Sequence, residues 1–214
     1  MVSKNVVPAK KDAIALLMDD HKRVKGLFAE FKKFEDAGKV GFDDLKQELM
    51  DAACGELKIH AQVEEEIFYP RVRVALPDEG ELMNEADVEH AGATELIAQI
   101  ENGNATDPMT CARFTVLGEY IDHHVREEEN EMFVKVMKAD IDLVKLGRQM
   151  TLRKQELKAE MGLTFFDEVK ELTKSGVDKI ESLWDRVRSA VGTDTAMAHI
   201  PRRSTRDKHA SATK

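Results

Sequence analysis

Residues Ile14 to Phe31 read IALLMDDHKRVKGLFAEF, and their apolar members recur in steps of three and four. Ile14, Leu17, Val24, Phe28 and Phe31 define one face of an α-helix, and His21 falls in phase with them. An imidazole therefore occupies a seam that calls for an apolar side chain. The same displacement recurs three times. Met50, Ala53, Leu57 and Ile67 share a face with His60 and Glu64. Met83, Ala86, Ala93, Ile97 and Ile100 share one with His90, while Phe114, Leu117, Ile121 and Met132 share one with His124 and Glu128. A single buried histidine is usually a hydrogen-bonded core residue. Four imidazoles and two carboxylates in matched seams ask for more, because buried polar groups need partners and buried carboxylates need a counter-charge. A metal supplies both.

Outward from these seams, start and stop signals divide the chain. Asp12 caps a helix expected to run to about Ala37, and Gly38 and Gly41 break it. A second helix is expected from Asp43 to Tyr69, where Pro70 stops it; a third opens at Leu76-Pro77-Asp78 and ends near Gly103. Asp107-Pro108 places a capping side chain before a proline at the first helical position, and the fourth helix runs to about Lys138. Short connections favour antiparallel neighbours, so the fold class is all-α, an up-down-up-down four-helix bundle. At 1.5 Å per residue, His21 and His60 each lie about 25 Å from the turn between their helices. His90 and His124 come out level with them to within about one helical turn. The four histidines therefore converge on one layer.

The chain of 214 residues has room for one sizeable domain and an extension. Charged residues reach 34% against 6% aromatics, a balance that suits long solvated helices. A net charge of −9 argues against a general nucleic-acid binder held by phosphate contacts, so no nucleic-acid partner is expected. Residues 1–11 read as a disordered lead without the apolar region of a secretory signal. No run approaches the roughly 18 apolar residues of a membrane span. The expected setting is soluble and cytoplasmic. Cys54 and Cys111 fall at levels that differ by roughly 10 Å, beyond disulfide reach, and read as reduced thiols. The bundle and a following charged helix, Ile141 to Glu160, complete a domain over 12–160. Residues 163–192 carry an amphipathic stripe that includes Phe165, Leu172, Ile180 and Trp184, expected to pack on the bundle, a second copy or a protein partner, with membrane-surface binding as the alternative. Residues 193–214 form a basic tail.

His60 with Glu64, and His124 with Glu128, stand one helical turn apart, so each pair projects toward one point. Imidazole suits iron, copper or zinc, and a carboxylate can bridge two cations. Phosphate-binding glycine loops, Cys-x-x-Cys pairs, a Ser-His-Asp order and His-Glu-x-x-His are all absent from the sequence. His123, paired with Glu127, competes with His124 for a ligand role. Helical phase decides for His124, which tracks Leu117 and Ile121, whereas His123 tracks Tyr120. Glu65 and Glu129, each beside a metal-facing glutamate, are candidates to orient imidazoles.

His60-Ala-Gln-Val-Glu64-Glu65-Glu66-Ile67-Phe68-Tyr69-Pro70 resembles the second-helix signature of hemerythrin-like, HHE cation-binding proteins. His124-Val-Arg-Glu-Glu128-Glu129-Asn130-Glu131-Met132-Phe133 resembles the fourth-helix signature, and Asp19-Asp20-His21 and Glu89-His90 match the single-histidine helices. The resemblance spans about residues 12 to 160. It implies a non-haem di-iron cofactor, oxo- or hydroxo-bridged, with His21 and His60 on one iron, His90 and His124 on the other, and Glu64 and Glu128 bridging. Oxygen carriers of the family bear a second histidine on the third helix, but Ala86 and Thr94 flank His90 here. The set is more similar to members that respond to oxygen, nitric oxide or peroxide, or that repair iron centres. A protein that binds or senses such a ligand is the first expectation. A di-iron enzyme reducing peroxide or nitric oxide, or an iron donor, is the alternative. No acid–base constellation separate from the metal set favours turnover.

Overall fold

Asp12 accepts a hydrogen bond from the Ala15 amide at 2.8 Å and starts α1 (Ala13–Asp36), as its capping position predicts. The computed structural model describes residues 11–36 and 41–161, and every regular element among them is helical. Gly41, at φ +100°, takes the left-handed conformation that glycine adopts without strain, and α2 (Asp43–Val63) follows. A single π-helical turn, π1 (Glu64–Phe68), leads without interruption into α3 (Tyr69–Ala75). Then come α4 (Gly80–Glu101) and α5 (Pro108–Glu127), the latter capped by Asp107 onto the Met109 amide at 3.0 Å. A second π turn, π2 (Glu128–Met132), passes into α6 (Phe133–Val136). Asp142 caps α7 (Leu143–Glu160) through the Lys145 amide at 2.9 Å.

Pro70 does not stop the second helix, which continues to Ala75. The π turn is the reason. Its wider loop carries the Tyr69 amide to the Glu64 carbonyl, five residues back, at the point where proline would collide with a carbonyl four residues back. The same turn shifts the side-chain register. Ile67, expected in the seam, is only half-buried, whereas Phe68 and Tyr69 are buried.

α1 packs on α2 and α5, and α4 packs on α2 and α5, which closes a ring of four. Cross-helix pairs run in opposite order along neighbours. Glu35 meets Lys46 while His21 meets His60; Glu101 meets Lys58 while Asp87 meets Arg73. α7 lies across α1 and α2. Its Gly147 backs so closely onto the chain at Asp12 and Ala13 that an added Cβ would stand 2.7–2.8 Å from their backbone.

The buried apolar side chains form two clusters. One holds Leu27, Phe31, Met50, Phe114 and Leu117; the other holds Leu17, Phe68, Tyr69, Met83 and Phe133. Between them lies the layer of imidazoles and carboxylates. Among the described residues no helix is long and apolar enough to cross a membrane. The expected amphipathic helix over 163–192, the basic tail over 193–214 and residues 1–10 of the lead lie outside the described residues. His199 and His209 lie there too.

Candidate metal centre

Seams on four helices bring His21, His60, Glu64, His90, His124 and Glu128 to one level, and all six are at least nine-tenths buried. Their donor atoms fall into two groups, each within 4.8 Å of one another. One group is His21, His60, Glu64 and Glu128; the other is Glu64, His90 and His124. His21 Nε2 stands 3.2 Å from His60 Nε2 and 3.2 Å from a Glu128 oxygen. A Glu64 oxygen lies 3.1 Å from His60 Nε2 and 3.4 Å from His90 Nε2. His124 Nε2 is 4.0 Å from Glu128.

These distances are short, yet both oxygens of Glu64, both oxygens of Glu128 and His124 Nε2 have no hydrogen-bond partner. Such groups are costly to bury unless something else meets them. Imidazoles and carboxylates that crowd together and leave these acceptors unmet are arranged as ligands around a cation. The residues present fit a metal.

The opposite edges of the imidazoles are all engaged. His21 Nδ1 meets Glu129 at 2.8 Å, His90 Nδ1 meets Glu65 at 2.9 Å, and His124 Nδ1 meets Glu89 at 2.7 Å. His60 Nδ1 meets Asp20 at 3.4 Å. Each of these acids sits next in sequence to a metal-facing residue on its own helix but serves the histidine of the neighbouring one. Asp20 of α1 serves α2, Glu65 of π1 serves α4, Glu89 of α4 serves α5, and Glu129 of π2 returns to α1. A carboxylate on Nδ1 fixes the tautomer that leaves Nε2 free to bind metal. Sequence reasoning proposed Glu65 and Glu129 for this role and missed Asp20 and Glu89. Their signal was adjacency to His21 and His90.

The π turns aim a further ring from each half. Tyr69, five residues after Glu64, puts its hydroxyl 3.1 Å from His90 Nε2. Phe133, five residues after Glu128, stacks on His21 with ring planes 2° apart. The two halves of the site therefore differ: one faces a hydroxyl, the other a phenyl ring. In the sequence Tyr69 is only one residue of the second-helix signature. Its inward aim depends on the π turn, which sequence periodicity does not reveal.

Burial pushes the Glu64 carboxyl up, but the His60 charge and the close approach of His60 and then His90 outweigh it and hold the group well below the usual range. Burial alone would depress His60; the Glu64 charge and the Asp20 contact instead raise it to about 10. Burial and the Glu64 charge push Glu128 up. His60 and His90 thus meet the Glu64 charge where a cation would otherwise stand. Lys154, reaching in from α7, binds both oxygens of Asp20.

His123 is 63% exposed and pairs with Glu127 at 3.2 Å, outside the layer, as its helical phase predicts. Cys54 and Cys111 are both free and buried.

The family model for the hemerythrin HHE cation binding domain matches residues 12–136, more than half of the chain. The chain belongs to that family and is a metal-binding, hemerythrin-like helical protein. It is similar in fold to the crystal structure of a hemerythrin HHE cation binding domain-containing protein from Mycobacterium kansasii. The TM-score is 0.56 at 22% identity, over 70% of this chain and 89% of that one. A curated relative from a Nostoc species, named a DNA nickase, is 32% identical over 117 residues. That match takes in 55% of this chain but only 31% of the relative.

Proposed function

We propose that this chain is a non-haem di-iron protein that binds or senses a small oxidant or diatomic ligand: oxygen, nitric oxide or peroxide. The observation that carries the reading is Glu64, whose carboxylate belongs to both donor groups at once. A carboxylate shared between two sets of imidazoles suits a pair of cations better than one, and mixed nitrogen and oxygen donors suit iron. His21 and His60 would hold one iron, His90 and His124 the other, with Glu64 and Glu128 spanning them. When bound, the irons supply a reducing centre with an open position for a small molecule.

The residues of this chain do the rest. Asp20, Glu65, Glu89 and Glu129 keep the four Nε2 atoms aimed inward. Phe68 and Phe133 close one side against water. Ile121, one turn before His124, lines the approach on the other side. Tyr69 holds a hydroxyl proton beside His90, and burial pushes that hydroxyl well above its ordinary titration range.

Two free thiols accord with a reducing, cytoplasmic setting. The nicking activity in the Nostoc relative's name is not carried over, since the match covers less than a third of that protein. Reduction of peroxide or nitric oxide is the competing reading. It is favoured by Thr94, which lines the cavity beside His90 rather than adding an imidazole. Steady-state turnover with an electron donor separates the two readings.

The test of the main reading is metal analysis and Mössbauer spectroscopy of protein purified without oxygen. About two irons per chain and a coupled diferric spectrum after oxidation are expected. Fewer than about one iron per chain, or uncoupled iron, overturns it.

A further inference from the structure

The two sides of the imidazole layer are built differently. Toward α3 and α6, Phe68, Tyr69, Phe133 and Met132 fill the space with bulky side chains that are almost fully buried. On the opposite side the walls are mainly aliphatic, Val24, Leu57, Ala93, Ile97, Ile121 and Val125, with Thr94 and Tyr120 among them. They enclose a cavity of about 400 Å³. Its floor is the four imidazoles, and Lys58, Gln62 and Glu66 stand at its polar margin.

A diatomic molecule needs no more than about the 30 Å³ that a water molecule occupies in the liquid. An apolar cavity of roughly 150 Å³ already takes up benzene. The space beside this site is larger than either requirement. Water is a poor occupant among the aliphatic side chains, while the Thr94 hydroxyl beside the layer and the unpartnered His124 Nε2 can meet an oxygen atom. The cavity is complementary to a molecule with an apolar body and one oxygen-bearing head.

We propose that it binds small apolar organic hydroperoxides, with the carbon skeleton among Val24, Leu57, Ala93, Ile97 and Ile121 and the oxygenated end toward the imidazoles. This inference names the ligand class for the function proposed above, but it concerns binding by the cavity walls and stands independently of which metal the site holds.

The test uses 2-phenylpropan-2-ol, a redox-inert alcohol of the size of an aromatic hydroperoxide, titrated by NMR into metal-free and zinc-loaded protein. Saturable one-to-one binding is expected in both. Shifts should be confined to residues of α1, α2, α4 and α5 that face the cavity. Ala93→Phe fills the space and is expected to weaken binding at least about tenfold, a difference of about 1.4 kcal/mol. Ala93→Val, a milder filling, should give an intermediate loss with unchanged helix content and zinc stoichiometry, which guards against misfolding of the larger variant. Absence of binding to wild-type protein, or equal binding by wild type and Ala93→Val and Ala93→Phe, overturns the proposal. Loss of iron binding with retained alcohol binding would instead count against the di-iron reading alone.

Discussion

Lys154 on α7 grips both carboxylate oxygens of Asp20 on α1, and Asp20 in turn faces Nδ1 of His60. A helix beyond the part of the chain matched by the family model thereby reaches the metal layer through a buried ion pair. Removing Lys154 leaves the buried Asp20 carboxylate only the longer contacts of Arg23 at 3.3 Å and His60 at 3.4 Å. Lys154→Met is expected to cost about 3 kcal/mol of unfolding free energy, read by urea denaturation of the metal-free protein. It should also loosen His60 and speed iron loss to a chelator. A variant as stable as wild type would show that the pair does not anchor α7.

The four carboxylates on Nδ1 act on metal affinity without touching the metal. Glu89→Gln and Glu65→Gln are each expected to weaken iron retention by about 10- to 100-fold, measured by competition with a chromophoric chelator. Glu127→Gln, whose partner His123 is exposed, should leave retention unchanged. Equal effects from Glu89 and Glu127 would undo the assignment of roles.

Glu64→Gln should cost both metals, because Glu64 belongs to both donor groups. His90→Ala should cost only one. Metal stoichiometry by elemental analysis distinguishes these outcomes, and a full complement in Glu64→Gln would remove the bridging role.

The pH dependence of the metal-free fold has two limbs. The folded-state pKa of His60 is raised from 6.5 to about 10, so its contribution is fully present below pH 6.5 and lost as pH rises toward 10. That of Glu64 is depressed below 4.5, so its contribution is present above pH 4.5 and lost as pH falls through the folded value. Thermal melts of metal-free protein should therefore weaken at both ends. With metal bound the imidazole is neutral at every working pH, and the alkaline loss should vanish. Proton release on metal addition at pH 7, followed in weak buffer, checks the same linkage. No release would contradict it.

Tyr69 meets His90 Nε2 from the packed side of the layer, opposite the cavity. Tyr69→Phe removes one hydrogen bond from a buried imidazole and is expected to cost about 1 kcal/mol of unfolding free energy in metal-free protein, read by urea denaturation, while leaving nitric oxide dissociation, read by stopped flow, unchanged. Faster nitric oxide loss would place the hydroxyl in ligand contact instead.

Much of this was legible without coordinates. The apolar steps around His21 set α1, and the Asp107-Pro108 start placed α5, because capping and periodicity are local properties of the chain. His124 was separated from His123 by phase alone, and the structure buries the first and exposes the second. The course of the second helix was not legible. Pro70 reads as a stop, and only the π turn, with its five-residue hydrogen bond, lets the helix pass and turns Phe68 and Tyr69 inward in place of Ile67.

Residue order determined which side chains lie in the seams and hence that imidazoles and carboxylates would share one level of a helical bundle, since helical phase and rise per residue are fixed by backbone geometry. Tertiary packing decided which acid serves which histidine. Asp20 and Glu89 are neighbours of His21 and His90 in the chain, yet they bond His60 and His124, because a side chain next to an inward-pointing residue emerges about 100° around its helix and meets the helix beside it. The approach of Lys154 over more than a hundred residues of intervening chain follows from the docking of α7, which no local pattern encodes.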